Sequence, residues 1–75
     1  MSSHNLISKE ITAEIAPQLK QLRLDRQLSI EELQVATHIS RRILNRMENG
    51  KFLTFSHLRR LLEFYGKKVR IVLED

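Results

Sequence analysis

LSIEELQVATHISRRILNRMENG, residues Leu28 to Gly50, contains two short helical patterns, each opened by a serine and separated by Thr37-His38-Ile39. Ser29 with Glu32 three residues later has the spacing of a capping box, in which each side chain takes up the other residue's end amide. Ile30, Leu33 and either Val35 or Ala36 give this first pattern an apolar side. Ser40 is the second N-cap. After it Ile43, Leu44 and Met47 recur at helical spacing, which leaves Arg41, Arg42, Asn45 and Arg46 outward or at the helix start. Asn49-Gly50 then stops the helix. The order is helix, turn, helix.

Three arginines on one short helix narrow the chemistry. The B-DNA major groove admits one α-helix, and the guanidinium fork matches guanine O6 and N7, so Arg41, Arg42 and Arg46 are candidate base readers. Arg41, at the first helical position, can divide its role between base and backbone. Asn45 reads equally well as a base-reading or a plain surface residue. A basic helix in an arbitrary protein is more often a solvated face, and it is the surrounding motif that reverses those odds. Ser40, Lys51 and the backbone amides opening a later helix at Phe55 and Ser56 suit phosphate oxygens, because helix N-termini attract anions.

Working outward, 75 residues make one domain, expected over residues 1–75 with a ragged N-terminus at 1–7. A chain this small buries only about 60% of its unfolded surface, which favours a partner. The formal charge is +4 and the pI about 10.0, and the excess is uneven. Residues 1–27 hold four bases and three acids, whereas 41–51 hold four and one, and 59–70 five and one. Cysteine is absent, which excludes disulfides and thiolate chemistry. No apolar run approaches the about 18 residues of a membrane span, and residues 1–8 lack the pattern of a signal peptide. A soluble cytoplasmic protein is expected. His4, His38 and His57 share no ligand spacing, and no serine has an activating histidine and carboxylate, so neither a metal site, a cofactor, a small-molecule substrate nor an enzyme is expected.

On the N-terminal side Ser8 can cap a turn through Glu10, Ile11 and Glu14. Pro17 then either kinks that helix or opens another, and a new helix from about Pro17 to Arg26 is favoured, with Leu19, Leu22 and Arg23 inward. Thr54 caps a further helix whose Phe55, Leu58, Leu61, Leu62 and Tyr65 form an apolar face, ended by Gly66. The fold expected is all-α, four to five helices, followed by a change of period. From about residue 68 to 74, Val69, Ile71 and Leu73 alternate with Arg70, Val72 and Glu74, as in a β-strand. One strand forms no sheet, so its simplest partner is the same strand in a second copy, paired across a twofold axis.

Over about Pro17 to Gly66 the chain resembles the Cro and phage-repressor (XRE) helix-turn-helix family. Leu28-Ser29-x-Glu31-Glu32-Leu33, Ser40-Arg41 and Arg46-Met47-Glu48-Asn49-Gly50-Lys51 stand at that family's spacings, and Leu58-x-x-Leu61 to Gly66 matches its fourth helix. The resemblance implies a lambda-repressor-like bundle, a dimer, and a third helix in the major groove of double-stranded DNA. It also implies an ion pair between Arg23 and Glu48. The chain departs from the pattern at His38, where the turn usually has glycine, at Gln34, usually a small alanine, and at Ile30, usually a phosphate-binding glutamine. The added terminal strand resembles the layout of HipB-type antitoxins, which implies a toxin partner such as a HipA-like kinase. The function expected is a homodimeric repressor acting on an inverted-repeat operator of its own operon. The alternative is a protein-interaction module that mainly restrains a toxin.

Overall fold

The computed structural model describes residues 5–70, 72 and 73. Four helices follow in order: α1 over Lys9–Asp25, α2 over Ile30–Thr37, α3 over Arg41–Glu48 and α4 over Phe55–Tyr65. Each begins where a side-chain oxygen satisfies an end amide that has no partner inside the helix. Ser8 accepts from the Ile11 amide at 3.4 Å, Ser40 from Ile43 at 3.2 Å and Thr54 from His57 at 3.1 Å. The capping box is complete: the Glu32 amide donates to Ser29 Oγ at 3.0 Å, and the Ser29 amide donates to Glu32 Oε1 at 2.8 Å.

The turn between α2 and α3 has His38 in the left-handed region, at φ 60° and ψ 24°. Its amide donates to the Gln34 carbonyl at 2.8 Å. The Thr37 hydroxyl donates to the Leu33 carbonyl at 2.7 Å and accepts from the Ile39 amide at 3.3 Å, which brings Ile39 into the core. After α3 the chain turns through Gly50 at φ +73°, a conformation few side chains adopt, and the Lys51 amide closes back on the Arg46 carbonyl at 2.9 Å.

Leu19 of α1, Leu33 of α2, Leu44 and Met47 of α3, and Leu58, Leu61 and Tyr65 of α4 meet in one core, completed by Ile7, Ile39 and Leu53. In α2 Leu33 is buried and Ile30 packs partly, as the spacing predicts, but Val35 and Ala36, one of which was expected inward, are both exposed, and Thr37 is buried in their place. Tyr65 is clamped from outside by Arg26, whose Nη2 donates to the Tyr65 carbonyl at 2.7 Å and whose guanidinium lies 5.1 Å from the ring centroid. Burial, with the Glu48 carboxylate adding to it, pushes the Tyr65 phenol up to about 12. Phe55 departs from its expected place on the apolar face and is half exposed.

Two expectations need correction. No new helix begins at Pro17, because α1 runs through it. Proline inside a helix removes one backbone bond and crowds the carbonyl four residues back. Buried Thr12, Ala16 and Leu19 hold the helix to the core on both sides of that site, so packing overrides the local preference. Nor is the N-terminus ragged to residue 7: Ile7 is buried, its amide donates to the Leu53 carbonyl at 2.9 Å, and Leu6 forms an antiparallel bridge with Thr54. Lys68, Val69, Arg70, Val72 and Leu73 carry no strand among the described residues of this single chain, and the expected strand would need a second copy to pair with. Ile71 and Glu74 of that expected strand, and His4, lie outside the described residues. Among the described residues no helix is long and apolar enough to cross a membrane.

Candidate nucleic-acid interface

α3 divides its residues sharply between two faces. Leu44 and Met47 are fully buried against α1 and α2, Ile43 packs partly on the core, and Arg41, Arg42, Asn45 and Arg46 are all exposed. The four candidate base readers therefore share one accessible face of a helix whose axis is fixed by its other side. Around them, Ser40 Oγ serves as the cap, and the Lys51 side chain stands exposed just past the helix end.

The three arginines are not equivalent. Arg41 Nη1 donates to Glu31 Oε2 at 3.3 Å across the turn, with both side chains more than 60% exposed. Glu31 is held below the usual carboxylate range first by its own backbone amide and then by Arg41. An exposed pair of this kind is weak, so a nucleic-acid oxygen can replace the carboxylate. Arg42 and Asn45 take no side-chain partner among the described residues. Arg46 makes no side-chain hydrogen bond there either, but its guanidinium lies 5.1 Å from the centroid of the Phe52 ring.

The start of α4 is less open than its sequence implied. The Ser56 amide and hydroxyl both donate to Asn5 Oδ1 at 3.2 Å, so a side chain already occupies the place where a phosphate oxygen was expected. The Phe55 amide stands beside it at the first helical position. His57 Nδ1 lies 2.7 Å from Thr54 Oγ1, and its ring meets Phe52 edge-on, centroids 5.8 Å apart. Burial, then the nearby Arg60 charge, hold this imidazole below its usual pKa.

Behind the interface, Arg23 grips Glu48 with a fork. Nε donates to Oε2 at 2.9 Å and to Oε1 at 3.1 Å, Nη2 donates to Oε1 at 3.0 Å, and Nη1 donates to the Leu28 carbonyl at 2.9 Å. The pair is nearly buried, with side-chain exposures of 13% and 5%. Its hydrogen bond to Glu48 raises Arg23 further above its ordinary pKa against the opposing effect of burial. This links α1 to the C-terminal end of α3, where it sets the angle of the exposed face. Ile30, standing where a phosphate-binding glutamine was the pattern, packs against the core instead.

Asn5, Glu31, Phe52 and His57 are the neighbours that sequence reading missed. Only Glu31 had a local signal, its place in the first turn of the helix that precedes the arginine-rich one. Asn5 is 51 residues from its partner, and no spacing rule connects them. Among the described residues there is no cluster of three or more potential metal ligands.

A family model described as Helix-turn-helix matches residues 19–72, which takes in α2, α3, α4 and the Arg23–Glu48 pair. No curated protein and no solved structure gives a significant match.

Proposed function

The chain belongs to the helix-turn-helix family of the Cro/repressor (XRE) type, a family of DNA-binding regulators, and from that premise we propose that it is a homodimeric, sequence-specific repressor of its own operon. The observation that carries this is the exposed face of α3, where Arg41, Arg42, Asn45 and Arg46 stand on a helix whose opposite face is core. Arg42 and Arg46 read base edges, Arg41 shares base and backbone, and Lys51 with the Phe55 amide meets phosphates. The Ser56 amide joins them once Asn5 yields its place. In a twofold dimer the two recognition helices lie about one turn of DNA apart, so the operator is an inverted repeat with half-sites roughly 34 Å from centre to centre.

The dimer is supported by a second, apolar surface. Ile11, Ile15, Leu22, Phe55, Leu62 and Val69 line an open groove of about 790 Å³ between α1, α4 and the tail. Val69, Val72 and Leu73 are at least half exposed. Pairing of the segment 68–74 with its copy would supply the missing strand partner and cover this apolar surface. The same surface favours a second reading, an antitoxin that binds a toxin such as a HipA-like kinase, and stoichiometric co-purification of that protein is its test.

Base and phosphate contacts separate in a salt series. Arg42→Ala is expected to weaken binding to the selected operator by about 1 to 3 kcal/mol, with much less effect on a scrambled duplex. Lys51→Ala should weaken both duplexes alike and reduce the salt slope by about one unit. Equal losses on both duplexes for Arg42→Ala and Arg46→Ala would reduce α3 to an electrostatic surface.

A further inference from the structure

We propose that Phe52 is a positioning residue for DNA readout: its ring holds the Arg46 guanidinium by the face, so that Arg46 reads a guanine at one base pair of each half-site. This rests on the repressor reading above and deepens it.

A guanidinium has a flat π-face and five N–H donors lying in its plane. Guanine O6 and N7 engage those in-plane donors two at a time. An arginine held by a carboxylate spends a donor on it, as Arg41 Nη1 does on Glu31. An arginine held over a ring by the cation–π attraction spends no hydrogen bond on it, and Arg46, 5.1 Å over Phe52, makes no side-chain hydrogen bond among the described residues. Of the three arginines on the exposed face, only Arg46 is held without spending a hydrogen-bond donor on its neighbour.

The ring is itself fixed. Phe52 packs against the core, and His57 meets it at an interplanar angle of 61°. The Thr54 hydroxyl, in a nearly buried side chain, holds His57 Nδ1 at 2.7 Å. A chain of contacts thus runs from the cap of α4 through two rings to the end of the recognition helix. The plainer reading is that the stack staples the loop between α3 and α4. That loop is already closed by the Lys51 amide on the Arg46 carbonyl and by Thr54 capping α4, neither of which uses the Arg46 side chain.

The test is selection from a duplex pool with a randomised core, carried out with the wild-type chain, Arg46→Ala, Phe52→Leu and Phe52→Tyr. Arg46→Ala should flatten the preference at one guanine per half-site. Phe52→Leu should lower the preference at that same base pair by about two- to fivefold, the range of an exposed cation–π contact, while Phe52→Tyr retains it. The double variant Arg46→Ala/Phe52→Leu should lose no more there than Arg46→Ala alone. Full preference in Phe52→Leu, or a loss at a different base pair, overturns the assignment. Should Phe52→Leu fail to fold, the Arg46 δ and ε protons of the wild-type chain decide by NMR: upfield ring-current shifts support the stack, and shifts of a free arginine refute it. A pool from which wild type enriches no sequence refutes the repressor reading itself and takes this assignment with it, whereas a clear motif indifferent to Phe52 refutes this assignment alone.

Discussion

Glu48 shows how one residue serves the fold and the interface together. Its carboxylate lies almost wholly buried under the Arg23 fork, so Glu48→Ala leaves a guanidinium without its counter-charge. Breaking a buried pair by removing one partner costs about 3 to 5 kcal/mol, and denaturant unfolding of Glu48→Ala is expected to show a loss of that size. A loss below about 1 kcal/mol would mean the pair behaves as a solvated one. His57 gives the molecule a pH dependence of defined sign. Its folded pKa lies below the unfolded value near 6.5, so the unfolded chain takes up the proton first. The stabilisation is fully present above that unfolded value and is lost as pH falls through the folded one. An imidazolium at this position would also face the positive end of α4, and its Nδ1 could no longer accept from Thr54. Thermal unfolding followed from pH 7.5 downward should show lower stability below about pH 6.5, and His57→Gln should remove that part of the change.

Among the elements, the turn between α2 and α3 tests how far local chemistry decides geometry. His38 sits at φ 60° without being glycine, a conformation that costs an ordinary side chain about 1 to 2 kcal/mol. His38→Gly should raise stability by about 1 kcal/mol or somewhat less, because glycine's greater freedom in the unfolded chain offsets part of the relief. A fall in unfolding midpoint would show that the imidazole makes a contact worth more than the strain. Helices α2, α3 and α4 were legible because every one has its own start signal and its own stop: Ser29 and His38, Ser40 and Asn49-Gly50, Thr54 and Gly66. The course of α1 was not. Pro17 is a strong local signal for a break, and what overrules it is the packing of Ala16 and Leu19, which no window of sequence around the proline contains.

At the scale of the whole molecule, the proposed dimer rests on the tail and the groove. Deleting residues 68–75 removes both the candidate strand and part of the groove wall formed by Val69, Val72 and Leu73. Sedimentation should therefore show weaker self-association in the truncated chain. If it remains fully dimeric at low micromolar concentration, the dimer is built elsewhere.

Whatever depends on neighbours along the chain could be read from the sequence. Caps act over three residues, apolar stripes repeat every three or four, and glycine or histidine in a left-handed turn acts on its own backbone dihedral angles. These fixed the helix-turn-helix, most core residues of α3 and α4 with Leu33 of α2, and the exposed basic face of α3. Tertiary structure alone decided what depends on distance through space. It carried α1 through Pro17, folded Ile7 under the core, put Asn5 on the start of α4 and set Phe52 beneath Arg46. Those contacts involve side chains that local rules leave unassigned, and they form only once the core has fixed the ends of the helices relative to one another.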